Sequence, residues 1–401
     1  MVPQQASTCC ERSRHDVGAD EKINGVNLGN WLVLEKWMKP ALFEECGEDD
    51  EIWMHRTMEP SRLEALLRRH RETYVTERDF IAIASHGYNL VRIPVPYFVF
   101  GDVEGHPGCI EYVDRAFAWA DRCGLQVLLD LHTVPGSQNG YDNGGITGVC
   151  TWCKDPEAVE YALTVLERLA KRYRNEPALY GMEVLNEPIS WLVYRTAPST
   201  GHAKDKEEAK GSGHVPMRFL KDLYRDAYRR LRAILKPESV IVFHDGFRLG
   251  AWRGWFGKEG MTNVMLDTHI YIIAMETFVP VPAMWLYRLF VAYGKAMIRL
   301  AARHVPVMVG EWCLMNTLAQ RQRDAVERKA IYREVARLEL DAWNVSAGQI
   351  YWSYRLLGND ATGDSRGGNS LEGWDLTRVW RNGWMAQSAD EGADGERTVD
   401  S

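Results

Sequence analysis

The chain has 401 residues, and its 48 lysines and arginines against 55 aspartates and glutamates give a formal net charge of −7. Hydrophobic residues make up 46% of the sequence and charged residues 26%, which is typical of a globular protein and excludes a wholly disordered chain. The excess of acidic residues argues against a protein that binds nucleic acid by neutralising phosphates, so no nucleic-acid partner is expected.

The two ends of the chain lack the patterns of folded segments. Residues 1–20 show no hydrophobic periodicity and residues 386–401 are acidic and small, so both are expected to be disordered tails around one folded domain at 21–385. The N-terminal residues also lack the apolar run of a secretory signal, which predicts a cytoplasmic location. Charged residues and prolines interrupt the longest apolar region, 270–302, so no transmembrane segment is expected.

Eight short apolar runs, rich in β-branched residues, alternate with longer helical patterns. The predicted strands are Ile23–Leu28, Asn89–Val95, Leu125–Leu131, Leu179–Leu185, Ser239–His244, Asn263–Tyr271, Pro306–Trp312 and Gly348–Tyr354. Near-continuous hydrophobicity is typical of strands that are buried on both faces, as in parallel sheets. The count and the alternation predict a single α/β domain, a (β/α)8 TIM barrel with elaborated βα loops. A doubly wound sheet is the alternative, but the first strand is not followed by a glycine-rich phosphate loop.

The segments between the strands carry apolar residues at spacings of three and four, which predicts amphipathic helices. The helix around 113–123 is expected to end at Gly124, a residue suited to a helix C-terminus. Two insertions are visible: 35–77 is rich in helix formers, and 196–216 is polar and glycine-rich, as expected for a mobile surface loop. Cys150 and Cys153 are predicted to be reduced thiols, because the chain offers no second cysteine pair to complete a zinc site.

Polar or aromatic residues occupy nearly every predicted strand end, where burial alone would favour valine or leucine. They are Arg92, His132, Asn186, Glu187, His244, His269, Tyr271, Glu311 and Trp352. The C-terminal ends of the strands are where the loops of a barrel converge on one ligand. Packing does not explain a full ring of such residues, so the ring indicates a functional site.

Two glutamates of this ring, Glu187 and Glu311, follow the fourth and seventh strands and are expected to face one pocket. A separation of about 5 Å between two carboxyl groups is that of a retaining glycosidase, in which one donates a proton and the other attacks the sugar. Arg92 would keep a nearby carboxylate ionised. An ion-pair network at the barrel mouth is the alternative interpretation of the same residues.

Seven sequence words occur in order at these positions. They are GVNLGNWLVLE (25–35), NLVRIP (89–94), LDLH (129–132), LNEP (185–188), HIY (269–271), GEW (310–312) and YWS (351–353). Together they resemble glycoside hydrolase family 5, whose members are retaining (β/α)8 enzymes with catalytic glutamates at the ends of strands four and seven. The likeness extends from residue 24 to about 380. Within the family, the loop at 135–144 and the first word resemble the exo-β-1,3-glucanase group.

This resemblance implies a role for each matching residue. Glu187 matches the acid/base, Glu311 the nucleophile, and Asn186 the residue that hydrogen-bonds the sugar 2-hydroxyl. Arg92 and Tyr271 match groups that orient and stabilise the nucleophile. The other positions match pocket histidines, an aromatic floor and residues that bind the outer hydroxyls of a terminal glucose: His132, His269, Trp352, Glu35, Asp142 and Asn143. Since such residues close the pocket in that group, the expected reaction is release of glucose from the non-reducing end of a β-1,3-glucan or β-glucoside.

The leaving-group side matches the family less well. Related fungal enzymes hold the next sugar between two phenylalanines, whereas here one position is Tyr141 and the other falls near Ala274, with Phe278 close by. The resemblance therefore leaves a second substrate class open, in which glucose is removed from a lipid or another hydrophobic aglycone. The apolar residues between Phe278 and Leu300 would line that site, or they form an ordinary helix packed on the barrel.

Two other classes of protein are considered. A non-catalytic sugar-binding relative is disfavoured because both glutamates are present. A metal-dependent hydrolase would need ligands such as His132, His244 and His269, but the HxH pair that such barrels often carry after the first strand is missing. Neither a metal nor a cofactor is therefore expected, and the expected partner is a carbohydrate substrate.

Overall fold

Eight parallel strands close into a barrel in sequence order, which confirms the predicted (β/α)8 architecture. The computed structural model describes residues 22–196, 201–279, 281–357 and 371–385, so the predicted tails at 1–20 and 386–401 lie outside them. The strands are β1 (Ile23–Asn27), β2 (Leu90–Val95), β3 (Gln126–Leu131), β4 (Leu179–Glu183), β5 (Val240–His244), β6 (Val264–His269), β7 (Val307–Trp312) and β8 (Gly348–Tyr351). All eight coincide with predicted runs, although β1, β4, β6 and β8 end slightly earlier.

The two ends of the barrel interior differ in polarity. Apolar side chains, mostly from the first halves of the strands, form one buried cluster: Ile23, Leu90, Leu128, Val240, Val242, Met265, Met308 and Ile350. The outward faces of the strands pack against the helices in a larger apolar core. Apolar side chains fill the N-terminal end of the barrel interior, and both faces of the strands are buried. The polar side chains of the strands are therefore collected at the C-terminal end of the barrel, where the site lies.

Amphipathic helices cover the outside of the barrel. Among the described residues they are α1 (Glu51–Thr57), α2 (Pro60–Tyr74), α3 (Glu77–Ser85), α4 (Ile110–Cys123), α5 (Pro156–Tyr173), α6 (Trp191–Thr196), α7 (Met217–Arg232), α8 (Trp255–Lys258), α9 (Ile272–Glu276), α10 (Met284–Ala301), α11 (Thr317–Arg321), α12 (Ala325–Trp343) and α13 (Leu376–Asn382). As predicted, α4 ends at Gly124, whose φ of 67° is left-handed backbone that glycine adopts without steric cost. None of these helices is long and apolar enough to cross a bilayer.

The two predicted insertions pack on the barrel. Insertion 35–77 forms α1 and α2, which bury an apolar cluster with the end of the first βα loop. In the second insertion, the described residues 201–216 bury Ala203 and Val215. The N–H of Gly213 donates to the carbonyl of Cys150 over 2.9 Å. Cys150 and Cys153 carry free thiols, as predicted, and burial raises the pKa of Cys150 to about 12.

Candidate active site

Arg92 on β2 is the centre of the polar network at the barrel mouth, and its side chain is fully buried. Its Nε donates to Glu183 on β4 over 2.7 Å. Its Nη1 donates to Glu311 on β7 over 3.0 Å and to Asn27 on β1 over 2.9 Å. Its Nη2 donates to the amide oxygen of Asn186 over 3.0 Å. One guanidinium therefore positions four groups from the ends of three strands, which its planar set of five N–H donors allows.

Glu187 and Glu311 both contact the same histidine, His269. Glu187 stands just beyond β4 with a left-handed backbone, φ 47°, where a residue other than glycine is strained. The Nδ1 atom of His269 lies 2.8 Å from one oxygen of Glu187 and 3.3 Å from one oxygen of Glu311. Because both oxygens contact one nitrogen, the two carboxylates are close together. Their arrangement fits the carboxyl spacing of about 5–5.5 Å of a retaining glycosidase better than the wider spacing of an inverting one.

The three groups hold one another in defined charge states. Burial alone would raise the pKa of Glu187, but the hydrogen bond and the positive charge of His269 lower it to about 2. Burial raises the pKa of Glu311, although the positive charges of His269 and Arg92 oppose this rise. Burial would lower the pKa of His269, but the negative charges of Glu311 and Asp267 raise it well above its usual value. These opposite shifts favour a proton on His269 over one on Glu187.

Acid catalysis by Glu187 requires the proton on Glu187 itself and not on His269. The 2.8 Å contact between His269 and Glu187 supplies a direct path for the transfer. Glu311 differs because one of its partners is Arg92, a cation that keeps its charge at any relevant pH. Its other oxygen accepts a hydrogen bond of 2.6 Å from the Tyr271 hydroxyl. Glu311 is thus held by two donors that keep their protons, whereas Glu187 lies beside a group with which it can exchange one.

A pocket of about 320 Å3, here termed the inner pocket, opens onto both glutamates. Its lining is formed by Glu35, Trp37, Tyr141, Asp142, Asn143, Glu187, Tyr271, Glu311, Trp352 and Trp374. The Trp37 indole N–H donates to Glu35 over 2.8 Å, while Asn143 donates its amide N–H to Glu187 over 3.0 Å. Burial and then the nearby charge of Asp142 raise the pKa of Glu35 well above its usual value. The pocket thus combines aromatic walls with hydrogen-bonding carboxyl and amide groups.

The twelve residues that the resemblance matches to catalytic or substrate-binding positions all lie at this end of the barrel. Eight of them line the inner pocket, and Arg92, Asn186, His132 and His269 are buried beside it. The Trp352 ring is parallel to the His132 ring, with centroids 5.7 Å apart. His132 in turn contacts Asp130 through Nδ1 and Asn186 through Nε2, over 3.3 Å. The predicted floor and the predicted histidine are therefore one stacked unit.

Sequence reasoning missed two tryptophans and several buried acids. Trp37 and Trp374 both line the inner pocket, with ring centroids 5.2 Å apart. Trp37 could have been predicted, because it lies two residues after Glu35, which is predicted from the sequence to bind substrate. Trp374 had no such signal, since it lies beyond the last strand. Asp267 and Glu183 appear in strand patterns as ordinary core positions, yet they neutralise His269 and Arg92.

Two sets of described residues could in principle hold a metal ion, with ligand atoms within 4.8 Å of one another. They are Glu187, His244 and His269, and Glu183, Asp267 and His269. His269 belongs to both sets, and its two nitrogens already contact Glu187 at 2.8 Å and Asp267 at 3.3 Å. A metal would require His269 to be neutral, whereas its acidic neighbours raise its pKa and so favour the protonated form. The absence of a metal stays a prediction, which a chelator tests.

A second and larger cavity adjoins the inner pocket, with a volume of about 780 Å3. We term it the apolar cleft. It shares Tyr141, Glu187 and Tyr271 with the inner pocket. Both Ala274 and Phe278, the positions considered for the second ring of a sugar clamp, line this cleft. Phe278 is 71% exposed, so it stands at the rim of the cleft and does not close it.

Comparison with known proteins agrees with this geometry. The family model for cellulases, glycosyl hydrolase family 5, matches residues 60–355. A probable glucan 1,3-β-glucosidase A of Emericella nidulans is 31% identical over 408 residues, covering 92% of this chain and 90% of that protein. A glucan 1,3-β-glucosidase of Blumeria graminis is 36% identical over 262 residues, or 63% of this chain and 56% of that protein.

The solved structures agree on the fold. A rutinosidase from Aspergillus niger superposes with a TM-score of 0.70 at 21% identity, covering 90% of this chain and 97% of that one. Cel5A of Thermotoga maritima superposes with a TM-score of 0.51 at 16% identity, covering 89% and 96%. The family match over most of the chain, on a barrel with two facing glutamates, shows that the chain belongs to glycoside hydrolase family 5 and is a retaining β-glycoside hydrolase.

Proposed function

We propose that the enzyme is exo-acting and releases one glucose at a time from the non-reducing end of β-1,3-glucans or related β-glucosides. The size and lining of the inner pocket carry this proposal. A volume of about 320 Å3 lies at the lower end of the range for small-molecule sites, so it fits one sugar ring better than a chain. Glu35 and Asp142 offer acceptors for sugar hydroxyls. One oxygen of Glu35, Oε1, is buried and has no hydrogen-bond partner among the described residues.

The two named relatives support the same substrate class. One is named a probable glucan 1,3-β-glucosidase A and the other a glucan 1,3-β-glucosidase, and the first aligns with 92% of this chain. The aromatic lining suits a pyranose ring, since Trp352 presents a flat face that can stack on the apolar side of a sugar. The proposed chemistry is a double displacement in which both steps use the same two carboxyl groups.

In the first step, a carboxylate oxygen of Glu311 attacks the anomeric carbon while the glycosidic bond breaks. Glu187 takes the proton from His269 and gives it to the departing oxygen, which leaves as an alcohol. Arg92 holds the amide oxygen of Asn186, and the amide nitrogen, which lies 3.3 Å from His132 Nε2, has a second N–H to donate to the sugar 2-hydroxyl. This hydrogen bond would strengthen as positive charge develops on the sugar ring.

In the second step, a water molecule enters from the side of the departed alcohol. Glu187 removes a proton from this water, whose oxygen attacks the anomeric carbon and displaces the carboxylate of Glu311. Tyr271 and Arg92 then stabilise the leaving carboxylate through the hydrogen bonds of 2.6 and 3.0 Å that they donate. Two inversions give glucose with the β configuration of the substrate.

Product analysis on laminaripentaose tests the exo proposal. We expect glucose and laminaritetraose as the first products, with glucose released as the β anomer, as read by proton NMR before mutarotation. EDTA should leave the rate unchanged if the reaction needs no metal. Glu311→Gln serves as the inactive control for contaminating activity. Laminaribiose or laminaritriose among the earliest products would contradict a one-sugar pocket, and α-glucose would contradict the double displacement.

Replacing His269 with asparagine should narrow the pH profile of kcat/KM from both sides. Without the imidazole, a carboxyl group alone must hold the catalytic proton, so the basic limb moves to lower pH. The positive charge of His269 lowers the pKa of Glu311, so its loss raises that pKa and moves the acidic limb to higher pH. We expect kcat/KM at the optimum to fall by about 10²-fold.

The measurement is kcat/KM for an aryl β-glucoside between pH 3 and pH 9. His304→Asn is the matched control, because His304 is exposed on the outside of the barrel. Its profile should superpose on that of the unmodified enzyme. A His269→Asn profile with both limbs unmoved would show that His269 holds no part of the catalytic proton.

A further inference from the structure

The apolar cleft lies where the leaving group of the substrate must go. A sugar in the inner pocket has its glycosidic oxygen beside Glu187, and Glu187 also lines the apolar cleft. Tyr141 and Tyr271 likewise belong to both cavities. The atoms on the far side of the glycosidic oxygen therefore enter the apolar cleft, so its chemistry decides which leaving groups bind.

The walls of the cleft are mostly hydrocarbon and thioether. They come from the loops that follow β4, β5 and β6 and from α10, and their apolar side chains include Val193, Leu249, Met275, Phe290 and Met297. Methionine side chains adapt to irregular apolar partners, which suits flexible chains better than rigid rings of hydroxyls. Such walls favour a leaving group that buries CH2 groups.

The polar groups of the cleft are largely occupied by the protein itself. Thr268 donates its hydroxyl to Asp245 over 2.9 Å, and Asp245 also accepts from the backbone N–H of Phe247 over 2.6 Å. Arg248 is the exception: it donates one guanidinium N–H to the carbonyl of Val215 over 3.0 Å, while its Nε and Nη2 are buried without a hydrogen-bond partner among the described residues. A sugar in this cleft would need partners for several hydroxyls, and unmet hydroxyls would weaken its binding.

Helix α10 joins this cleft to the surface. Tyr287, Val291 and Ile298 are buried against the barrel, as an ordinary covering helix requires. Phe290, Tyr293 and Met297 line the cleft, so the same helix also forms one of its walls. Residues 278–300 can therefore both form a helix packed on the barrel and line a site for the leaving group.

We propose that the apolar cleft binds an aliphatic leaving group, so that the preferred substrates are β-glucosides of long-chain alcohols, or glucosyl lipids. This inference rests on the proposed release of glucose from the inner pocket and specifies what is attached to that glucose. The alkyl chain of the substrate begins at the glycosidic oxygen beside Glu187. It passes Ala274 and Met275 and reaches the rim of the cleft at Phe278 and Tyr293. Binding energy from the chain is gained on the leaving-group side, where it acts on kcat/KM.

A homologous series of methyl, butyl, hexyl and octyl β-glucosides tests the proposal, each below its critical micelle concentration, with laminaribiose alongside. Each methylene transferred from water to an apolar wall should raise kcat/KM by about threefold to fourfold until the chain reaches the rim. The observable is therefore the slope of log kcat/KM against carbon number. Octyl β-glucoside should have a higher kcat/KM than laminaribiose.

Two exposed positions of α10 give a matched pair of variants. Tyr293 is 64% exposed and lines the cleft, whereas Leu289 is 62% exposed and does not line it. Tyr293→Asp should flatten the chain-length slope, because a carboxylate at the rim opposes burial of CH2 groups. Leu289→Asp should keep the slope of the unmodified enzyme. Ala274→Asp, at an exposed position near Tyr271, provides a second variant that should also flatten it.

The outcomes separate this inference from the proposed function. A flat slope in the unmodified enzyme, with glucose still released, would overturn the aliphatic leaving group and leave the exo-glucosidase standing. A kcat/KM for laminaribiose above that of octyl β-glucoside would do the same. Glucose released from none of these substrates would overturn the proposed function and this inference together. A steep slope that Tyr293→Asp abolishes and Leu289→Asp keeps would support it.

Discussion

Replacing Glu311 with alanine is expected to lower kcat/KM for an aryl β-glucoside by about 10⁴-fold or more, because no covalent glycosyl intermediate can form. The fold should survive this change. Arg92 keeps two buried counter-charges, Glu183 at 2.7 Å and Asp130 at 3.1 Å, so its guanidinium is not left unpaired. Circular dichroism and the urea midpoint of unfolding check that the variant is folded.

Azide provides the decisive measurement for this variant. With 2,4-dinitrophenyl β-glucoside, an azide ion in the space left by the side chain should attack from the Glu311 face. The expected product is α-glucosyl azide, formed with a large recovery of rate. Glu327→Ala, at an exposed position on α12, is the control and should match the unmodified enzyme. Recovery of rate with a β-configured product would reverse the assignment of the two glutamates.

Replacing Glu187 with alanine should damage the reaction in proportion to how much the leaving group needs a proton. For laminaribiose or an alkyl β-glucoside, whose leaving alcohols are poor, kcat/KM should fall by about 10²–10⁴-fold. For 2,4-dinitrophenyl β-glucoside, which departs without protonation, the fall in kcat/KM should stay below about tenfold. Azide should raise kcat for the activated substrate by intercepting the glycosyl-enzyme, and the product should be β-glucosyl azide.

This dependence on the leaving group distinguishes an acid from a merely structural carboxylate. The Glu187 carboxylate binds His269 at 2.8 Å and Asn143 at 3.0 Å, so its loss also disturbs the pocket. A disturbance of the pocket would slow all substrates alike. Equal damage across leaving groups would therefore reject the acid/base role. Asn143→Ala, which removes only the second contact, shows how large that uniform effect is.

The order of the strands was predictable because each strand is buried on both faces and is therefore almost continuously apolar. The ends of the strands were less predictable. The run predicted to end at Leu185 stops at Glu183 as β4, although the N–H groups of Val184 and Asn186 still donate to Val242 and Leu131, each over 3.0 Å. The site determines which residues just after a strand are apolar and which are polar. The apolar pattern in the sequence therefore extends past the last residue of the strand.

The catalytic glutamates were predictable because polar residues at strand ends contrast with their apolar context. This contrast does not distinguish the buried acids beneath the glutamates from catalytic residues. Asp267 sits within β6 and accepts the N–H of Gly310 over 2.7 Å, an approach that leaves no room for a Cβ at position 310. The sequence contains both residues, but only the closed barrel brings them together. The location of the proton likewise depends on distances that the sequence does not contain.

The two cavities are built from different parts of the barrel, and this has a consequence for how such an enzyme changes over evolution. The inner pocket draws most of its lining from loops after β1, β3 and β8. The apolar cleft draws most of its lining from loops after β4, β5 and β6 and from α10. After gene duplication, mutations confined to 272–297 would diversify the alcohols that are released while glucose selectivity is inherited intact. Recombining that one segment between homologues is the corresponding route for engineering.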